Sequence, residues 1–369
     1  MASSPSSSCS GSSKTTSSEK VHVAVLFGGR STEQKTSLQL AKDVIEALDR
    51  KRYHVAPIFV TPQGQWVLCP FMDDTIIVPS GDDGVQVALL PGGRGRWVAV
   101  KPNIRLSDFT LHILFPWSAD ILRSTAALDK TIARHSLKAA GLQVPRSIKL
   151  TGNDERTNPG VAFADAVDAG IDSLPVFIKP ARSRSSAGSS KVSTWDDLAP
   201  ALSKGYQYDR KLLAEEAIQG RHIQIGVLED AKGQLMISRP GEVITAESRH
   251  LYTNGGNTHV GGNETVLEVP ADMPKEVGAR MKDAAAKAFR ALDCNAMARV
   301  DFVLTEDMSF RVNELDIIPD FTKTSMFAKV MGASGVKYPE MIEQMIANGL
   351  ARARGGWDTG MTQSQQEQT

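Results

Sequence analysis

Two short apolar segments late in the chain carry four charged side chains at alternating positions. In residues 298–304, the alternation of side chains along a strand would put Arg299 and Asp301 on one face. In residues 311–316 the same rule puts Glu314 and Asp316 on one face. If the strands pair, three carboxylates and one guanidinium converge, and Mg²⁺ uses such carboxylate oxygens when it bridges a protein to nucleotide phosphates. The alternative is a polar sheet face with surface ion pairs, which neighbouring like charges disfavour because they destabilise a sheet without a counter-ion.

A lysine and a run of small residues form the second group that could do chemistry. Lys179 ends a predicted strand at 174–179, and a loop rich in serine and arginine, with one glycine, follows at 180–190. Small side chains let backbone N–H groups approach phosphate oxygens, and the flanking cations supply charge. Taken alone, the loop is also typical of a flexible surface turn or a phosphorylation site. It matches neither the P-loop nor the dinucleotide-binding pattern, so those two nucleotide folds are not supported.

Glu33 is the third candidate, and its position identifies the first structural unit. It follows a glycine pair and precedes a helical pattern, where a lone carboxylate could simply favour the helix dipole. The surrounding pattern predicts a strand at 21–27, a helix at 37–50 and a second strand at 54–60. Strand, glycine turn, helix and strand in this order indicate an α/β domain.

Further periodic segments must position the later groups. They predict a helix at 124–140, strands at 211–218 and 222–228, a long helix at 277–292, and strands at 298–304 and 309–316. We find no internal repeat in the sequence.

Composition limits the class of protein. Of the 369 residues, 41% are hydrophobic and 23% charged, which is typical of a globular protein with two or three domains. The 42 basic side chains balance 42 acidic ones, so no overall field favours nucleic acid or an anionic membrane surface. No apolar run reaches the roughly 20 residues that span a bilayer, the N-terminus lacks a secretory signal, and the cysteines have no metal-ligand spacing. We therefore expect a cytoplasmic protein with disordered tails at 1–20, which is rich in serine, and at 356–369.

Taken in order, five motifs resemble the signature of the D-alanine-D-alanine ligase family. The motifs are Val-Ala-Val-Leu-Phe-Gly-Gly-Arg-Ser-Thr-Glu at 23–33, Leu-Asp-Lys at 128–130, Lys-Pro-Ala at 179–181 with Ser-Ser-Ala-Gly-Ser-Ser-Lys-Val at 185–192, Ala-Arg-Val-Asp-Phe at 298–302, and Asn-Glu at 313–314 with Pro319 and Phe-Thr at 321–322. The resemblance covers roughly residues 21–350. Five motifs in one order are far more specific than any one of them alone.

The resemblance implies an ATP-grasp fold, of α/β and α+β class, with an N-terminal α/β domain of the pre-ATP-grasp type. On that basis we expect an N-terminal substrate domain at 21–125, shortened internally near 116–123, a central domain at 126–217 and a C-terminal domain at 218–355. ATP would lie between the central and C-terminal domains, and the N-terminal domain would complete the substrate site.

The resemblance also implies roles for individual residues. The nucleotide contacts would be Lys130, Lys179, Ser186, Glu215, Glu216 and His222, with Glu215 and Glu216 in the adenine-binding segment. Mg²⁺, or Mn²⁺, would be held by Asp301, Glu314 and Asp316. Arg299 would stabilise the transferring phosphoryl group and the oxyanion of the tetrahedral intermediate. The amino-acid contacts would be Glu33 and Ser185 for the first amino acid and Ser325 for the carboxylate of the second.

The implied reaction transfers the γ-phosphoryl group of ATP to a carboxylate, and an amine then attacks the acyl phosphate. Catalysis of this kind consists mainly of positioning and charge neutralisation. The expected partners are small-molecule amino acids, with no nucleic acid and no membrane, and a homodimer is a possible assembly. In the family this chemistry belongs to peptidoglycan biosynthesis.

Several positions depart from the family pattern. The family has a segment that reads His-Gly and then Gly-Glu-Asp-Gly between a strand of the first domain and the helix that reaches Lys130. This chain lacks that segment, and residues 115–123 connect the strand almost directly to the helix. The substituted positions are Arg184 and Asp320 for glycine, His222 for the ribose-binding acid, Arg249 and His250 for a Lys-Tyr pair on the lid loop, and Asp316 for asparagine. We therefore predict D-alanine-dependent activity far below that of the family. A nucleotide-binding protein without catalysis and a ligase for a different amino acid or hydroxy acid stay open as alternatives.

Overall fold

The computed structural model describes three main sheets and the helices that pack on them. The described residues are 20–29, 34–72, 75–78, 84–90, 97–100, 113–115, 126–151, 170–171, 173–183, 187–244 and 266–355. One sheet contains parallel strand pairs, the other two are antiparallel, and helices pack on them. This arrangement confirms the predicted α/β and α+β class.

The first sheet is built from the N-terminal part of the chain. Its elements are β1 (Val21–Gly28), α1 (Gln34–Ala47), β2 (Tyr53–Val60), β3 (Trp66–Leu68), the hairpin of β4 (Phe71–Met72) and β5 (Thr75–Ile76), β6 (Val85–Leu89), β7 (Trp97–Ala99) and β8 (Ile113–Phe115). The six main strands lie in the order β7-β6-β3-β2-β1-β8, and β1 pairs in parallel with both β2 and β8. At the end of β1, Gly28 has φ +93°, and a Cβ there would lie 2.5 Å from the Val60 carbonyl oxygen, so this turn requires glycine.

The second sheet is antiparallel and has four strands. Its elements are α2 (Lys130–Ala139), β9 (Ser147–Leu150), β10 (Val176–Pro180), β11 (Ser190–Val192), a 3-10 turn (Trp195–Asp197), α3 (Leu198–Tyr206) and β12 (Leu212–Glu216). The strand order is β11-β10-β12-β9, and α3 packs its buried face on this sheet.

The third sheet carries the charged strands. Its elements are β13 (Arg221–Glu229), β14 (Leu235–Ile237), β15 (Gly241–Ile244), β16 (Val266–Glu268), α4 (Lys275–Ala291), β17 (Met297–Leu304), β18 (Phe310–Asp316), α5 (Met326–Gly332) and α6 (Tyr338–Gly355). The order is β16-β15-β13-β17-β18, with β14 paired to β13. One core lies between this sheet and the face of α4 formed by Val277, Met281, Ala285, Ala288 and Leu292, as its spacing predicts.

A second core joins the first sheet to the third. Val44 and Ile45 of α1 share it with Phe321, Phe327 of α5 and Ile342 of α6. These side chains are all nearly inaccessible to solvent, so α1 and the segment that leads into α5 are packed into one unit. This contact bears directly on the site described below.

The predicted helices and strands are present with small shifts of their bounds, except at one helix start. The helix predicted at 124–140 is interrupted, because Asp129 has extended backbone angles and caps a helix that begins at Lys130. The predicted domain bounds stay predictions, and both predicted tails lie outside the described residues apart from Lys20. None of the helices in the described part of the chain is long and apolar enough to cross a membrane.

Candidate nucleotide and metal site

The two charged strands pair as their alternation predicts. In the antiparallel register of β17 and β18, Arg299 lies opposite Asp316 and Asp301 lies opposite Glu314. The intervening Val300 is fully buried on the other face, among the residues that pack on α4. A register shift directly after Asp301 ends this pairing pattern, so the charged group occupies a short, defined stretch of the sheet.

Arg299 lies between two of the carboxylates. Its Nε donates to Asp301 Oδ1 at 2.8 Å and its Nη2 donates to Asp301 Oδ2 at 2.9 Å, while Asp316 Oδ2 is 3.9 Å from Nη2. The residue is only 8% exposed. Burial would lower the pKa of the guanidinium, but Asp301, Asp316 and Glu314 outweigh it and raise the pKa above its ordinary value. Arg299 is therefore a fixed cation at the centre of the acidic face.

Among the residues that the structure describes, Glu314 has a more distant cationic partner. Its Oε1 lies 3.8 Å from Lys130 Nζ, which is a loose ion pair. Burial, together with the charges of Asp301 and Asp316, raises the pKa of Glu314 above its ordinary value, although Lys130 opposes the shift. Among the described residues, no three or more His, Cys, Asp or Glu side chains are grouped closely enough to hold a metal ion.

On the second sheet, Lys179 and Glu215 form a buried ion pair. The β10–β12 register places Lys179 opposite Leu213 and Phe177 opposite Glu215. Lys179 Nζ lies 2.7 Å from Glu215 Oε1 and 5.1 Å from the centre of the Phe177 ring. The lysine is thus held against one face of the sheet. Its ammonium group has three protons, so it can bind a further acceptor besides Glu215.

Arg134 completes this pair, and the sequence interpretation missed it. From α2, its Nε donates to Glu215 Oε2 at 3.1 Å and its Nη1 donates to the Val312 carbonyl of β18 at 2.8 Å. Burial would raise the pKa of Glu215, but Arg134 and Lys179 outweigh it and lower the pKa to about 2. The available signal was its spacing, because Arg134 lies three residues after Thr131 and three before Leu137 on the buried face of α2.

Lys130 is positioned by the cap of α2. Asp129 accepts from the Thr131 and Ile132 backbone N–H groups at 3.1 and 3.3 Å, and it also pairs with Lys211. The Lys130 backbone N–H donates to the Ala181 carbonyl at 2.9 Å, which ties the helix start to the loop after β10. Lys130 Nζ donates to the Ser183 carbonyl and approaches Glu314, so it lies between the second and third sheets.

The structure separates Glu216 from this group. Its side chain accepts from the backbone N–H and from Nε of Arg146 at 2.8 and 2.7 Å, on the face of β12 opposite Glu215. His222 of β13 lies on the same sheet face as Asp301. Burial lowers the pKa of His222 and Lys179 adds to the shift, whereas Asp301 opposes it.

Ser325 and Asp320 lie in the segment between β18 and α5. Ser325 is 3% exposed and caps α5, because its Oγ accepts from the Ala328 backbone N–H at 3.2 Å. The Asp320 carboxylate accepts from the Thr322 backbone N–H at 3.0 Å and from its hydroxyl at 3.3 Å. This carboxylate is therefore bound within its own turn. The Asp316 carboxylate likewise accepts from the Ile318 backbone N–H at 3.1 Å.

Part of the predicted site lies outside the described residues. This part comprises Glu33, Arg184, Ser185, Ser186, Arg249, His250 and the short crossing at 116–123. The roles that the resemblance implies for these residues stay predictions.

Two family models match the chain. The model described as "D-ala D-ala ligase N-terminus" matches residues 22–96, and the model described as "D-ala D-ala ligase C-terminus" matches residues 136–347. Neither match includes residues 97–135, the region that contains the crossing at 115–123.

Named relatives and solved structures agree with these models. A D-alanine-D-alanine ligase A of Brucella melitensis is 40% identical over 359 residues, which cover 91% of this chain and 99% of the relative. The VanG D-Ala:D-Ser ligase of Enterococcus faecalis has a TM-score of 0.76 at 24% identity, covering 90% of this chain and all of that one. A D-alanine-D-alanine ligase of Bacillus anthracis, solved in complex with ATP, has a TM-score of 0.62 at 19% identity and covers 91% of this chain and 99% of that chain.

Proposed function

The chain belongs to the D-alanine-D-alanine ligase family of ATP-dependent ligases, and we propose that it joins the carboxylate of one D-alanine to the amine of a second. The observation that carries the proposal is Arg299, a buried cation fixed by Asp301 on a face to which Lys130 also reaches. Such a fixed cation can stabilise negative charge that develops during phosphoryl and acyl transfer.

The two lysines support an ATP site between the second and third sheets. Lys130 reaches Glu314 of the third sheet, and Lys179 lies against the second sheet with Glu215. Phosphate oxygens are acceptors for both ammonium groups, and Lys179 can bind one while it keeps its contact with Glu215. Glu215, held as a carboxylate by Arg134, would fix Lys179 in place for this contact.

Two carboxylates of the third sheet, those of Asp301 and Glu314, support a Mg²⁺ site, although among the described residues they do not form a preformed group of three metal ligands with Asp316. Asp301 and Glu314 lie directly opposite each other, and their repulsion contributes to the raised pKa of Glu314. A divalent cation held by these two residues, with Asp316 beside them, would remove that repulsion. When bound, Mg²⁺ neutralises charge on the transferring phosphates.

The chemistry then proceeds in two balanced steps. A carboxylate oxygen of the first amino acid bonds to the γ-phosphorus as its bond to the β-phosphate oxygen breaks, which gives an acyl phosphate and ADP. The free amine of the second amino acid adds to the acyl carbon, loses a proton, and expels phosphate as the amide forms. Arg299 would stabilise the oxygen that carries negative charge in each step, and Ser325 at the cap of α5 would bind the carboxylate of the second amino acid.

Arg299 provides the test. In purified protein with ATP, Mg²⁺ and D-alanine, Arg299→Lys should lower ADP release by about 100-fold or more, because lysine keeps the charge but lacks the planar fork. The matched control is Arg280→Lys, since the exposed Arg280 donates to the Met308 carbonyl at 3.2 Å and lies over the ring of Phe310, at the end of β18 away from Glu314 and Asp316. Equal activity of wild type and Arg299→Lys would overturn the assigned role, and absence of D-alanine-dependent ADP release in wild type would overturn the proposed substrate.

The comparisons do not favour a protein without catalysis, since both halves of the chain match ligase models. A cytoplasmic location and a homodimer stay predictions from the sequence. Light scattering on the purified chain measures the assembly, and a monomer mass across the working concentration range would exclude the homodimer.

A further inference from the structure

The segment that leads into α5 forms a tight turn at residues 320–325. The Thr322 backbone N–H donates to the Asp320 carboxylate, and the Ser325 backbone N–H donates to the Thr322 carbonyl at 3.0 Å. Ser325 then caps α5. The position of the Ser325 hydroxyl therefore depends on where this turn lies.

Helix α1, which follows the first strand of the first sheet, contacts this turn at Lys323. Asp43 Oδ2 accepts from the Lys323 backbone N–H at 2.9 Å, and its Oδ1 accepts from Gln39 Nε2 at 2.8 Å. Asp43 is only 6% exposed, so this carboxylate is a buried contact in which both oxygens have partners. One turn further along α1, the exposed Glu46 pairs with Lys323 Nζ at 2.7 Å.

The other end of α1 is anchored where the first amino acid is expected. Gln34 Nε2 donates to the Gly29 carbonyl at 2.7 Å, and the Gly28 backbone N–H donates to Ser37 Oγ at 3.0 Å. Glu33 directly precedes the helix in the sequence. Nine residues separate Gln34 from Asp43, which is about 14 Å along a rigid helix. A single element thus runs from the Glu33 end to the Ser325 turn.

We propose that Asp43 is a positioning residue that sets the site for the second amino acid by holding the turn at 320–325 against α1. The inference rests on the proposed function, because the role of Ser325 comes from it. Asp43 touches no reacting group; it acts through the Lys323 backbone and the cap of α5. Loss of this acceptor leaves the Lys323 backbone N–H without its buried partner on α1, and a displacement of the turn by about 1 Å can cost on the order of 100-fold in rate.

Kinetics distinguishes positioning from general stability. Two D-alanine molecules bind in succession, so the dependence of rate on D-alanine yields a KM for each. Asp43→Ala should raise the KM for the second D-alanine by about tenfold or more while the KM for ATP changes by less than about twofold. Asp43→Asn keeps an acceptor oxygen and should stay within about threefold of wild type, as should Glu46→Gln, which removes only an exposed pair.

Three kinetic outcomes would overturn the inference: unchanged KM values in Asp43→Ala, an equal rise of all KM values, or an Asp43→Asn variant as impaired as Asp43→Ala. If Asp43→Ala does not fold, Asp43→Ser, whose hydroxyl is too short to reach Lys323, replaces it with the same expected result.

Hydrogen exchange gives a readout that does not depend on turnover. In Asp43→Ala the backbone amides of residues 322–326 should exchange about tenfold faster than in wild type, while those of α4 stay unchanged. Unchanged exchange at 322–326 would refute the contact whatever the kinetics show. If wild type shows no turnover with D-alanine, the proposed function fails, and the exchange result alone decides whether Asp43 holds the turn.

Discussion

Replacement of Glu215 by glutamine should destabilise the chain in a pH-dependent way. The carboxylate is 2% exposed and contacts Lys179 at 2.7 Å and Arg134 at 3.1 Å. Glutamine is nearly isosteric but neutral, so Glu215→Gln leaves both cations buried without their counter-charge. Breaking a buried ion pair from one side is costly for this reason.

The magnitude follows from the pKa of Glu215, which falls from 4.5 to about 2 in the folded chain. At about 1.4 kcal/mol for each pKa unit, the charged form contributes about 3 kcal/mol to the free energy of unfolding. Because the folded pKa is depressed, this contribution is fully present above pH 4.5 and is lost as the pH falls toward 2. At pH 3 roughly half of it should remain.

Urea unfolding, monitored by circular dichroism at pH 7 and pH 3 and at constant ionic strength, measures the difference in the free energy of unfolding between wild type and Glu215→Gln. Glu215→Gln should cost about 3 kcal/mol at pH 7 and about half as much at pH 3. Glu216→Gln is the matched control, since its carboxylate pairs with the half-exposed Arg146 and should cost less than about 1 kcal/mol. A cost for Glu215→Gln that is the same at both pH values would refute the electrostatic account.

Three further results are expected. Lys179→Ala should weaken ATP binding in calorimetry with or without Mg²⁺, whereas Glu314→Gln should weaken it only with Mg²⁺; loss in both conditions for Glu314→Gln would contradict its role at the metal. Deletion of residues 1–20 should leave the melting temperature unchanged, because this stretch has too few apolar groups to offset an ordering entropy of about 1–2 kcal/mol per residue, and a drop of several degrees would show that it packs. Asp320→Gly should raise D-alanine-dependent ADP release by less than about tenfold, because Thr322 already binds the carboxylate; a gain of 100-fold or more, the scale of an oxyanion donor, would show that Asp320 opposes the reaction.

The sequence predicts well those parts of the site that depend on the alternation of side chains along one strand. Alternation of Val300 with Arg299 and Asp301 identifies a strand with one buried and one polar face, and the pairing with β18 follows from its short connection. The same rule also separates Glu215 from Glu216. Adjacent residues on a strand face opposite ways, so the pair that the resemblance placed together in the adenine segment divides between two faces.

The sequence does not reveal contacts between distant segments. Arg134 meets Glu215 across 81 residues of chain, and Asp43 meets Lys323 across 280. Each of these polar groups is buried only because another element supplies its partner, and periodicity within one element carries no information about that partner. From the sequence alone, Arg134 and Asp43 are therefore predicted to be ordinary charged residues on the surface of a helix. Only the fold shows their partners.

The charges at the centre of the proposed site would link nucleotide binding to metal binding. Lys130 lies 3.8 Å from Glu314 and is its nearest cation among the described contacts. A phosphate that binds Lys130 competes with Glu314 for the ammonium group, which leaves Glu314 opposite Asp301 with less compensation. Asp301 and Glu314 would hold a divalent cation, whose positive charge would restore the balance. Nucleotide and metal should thus strengthen each other's binding, and by thermodynamic reciprocity the factor by which Mg²⁺ tightens ATP must equal the factor by which ATP tightens Mg²⁺.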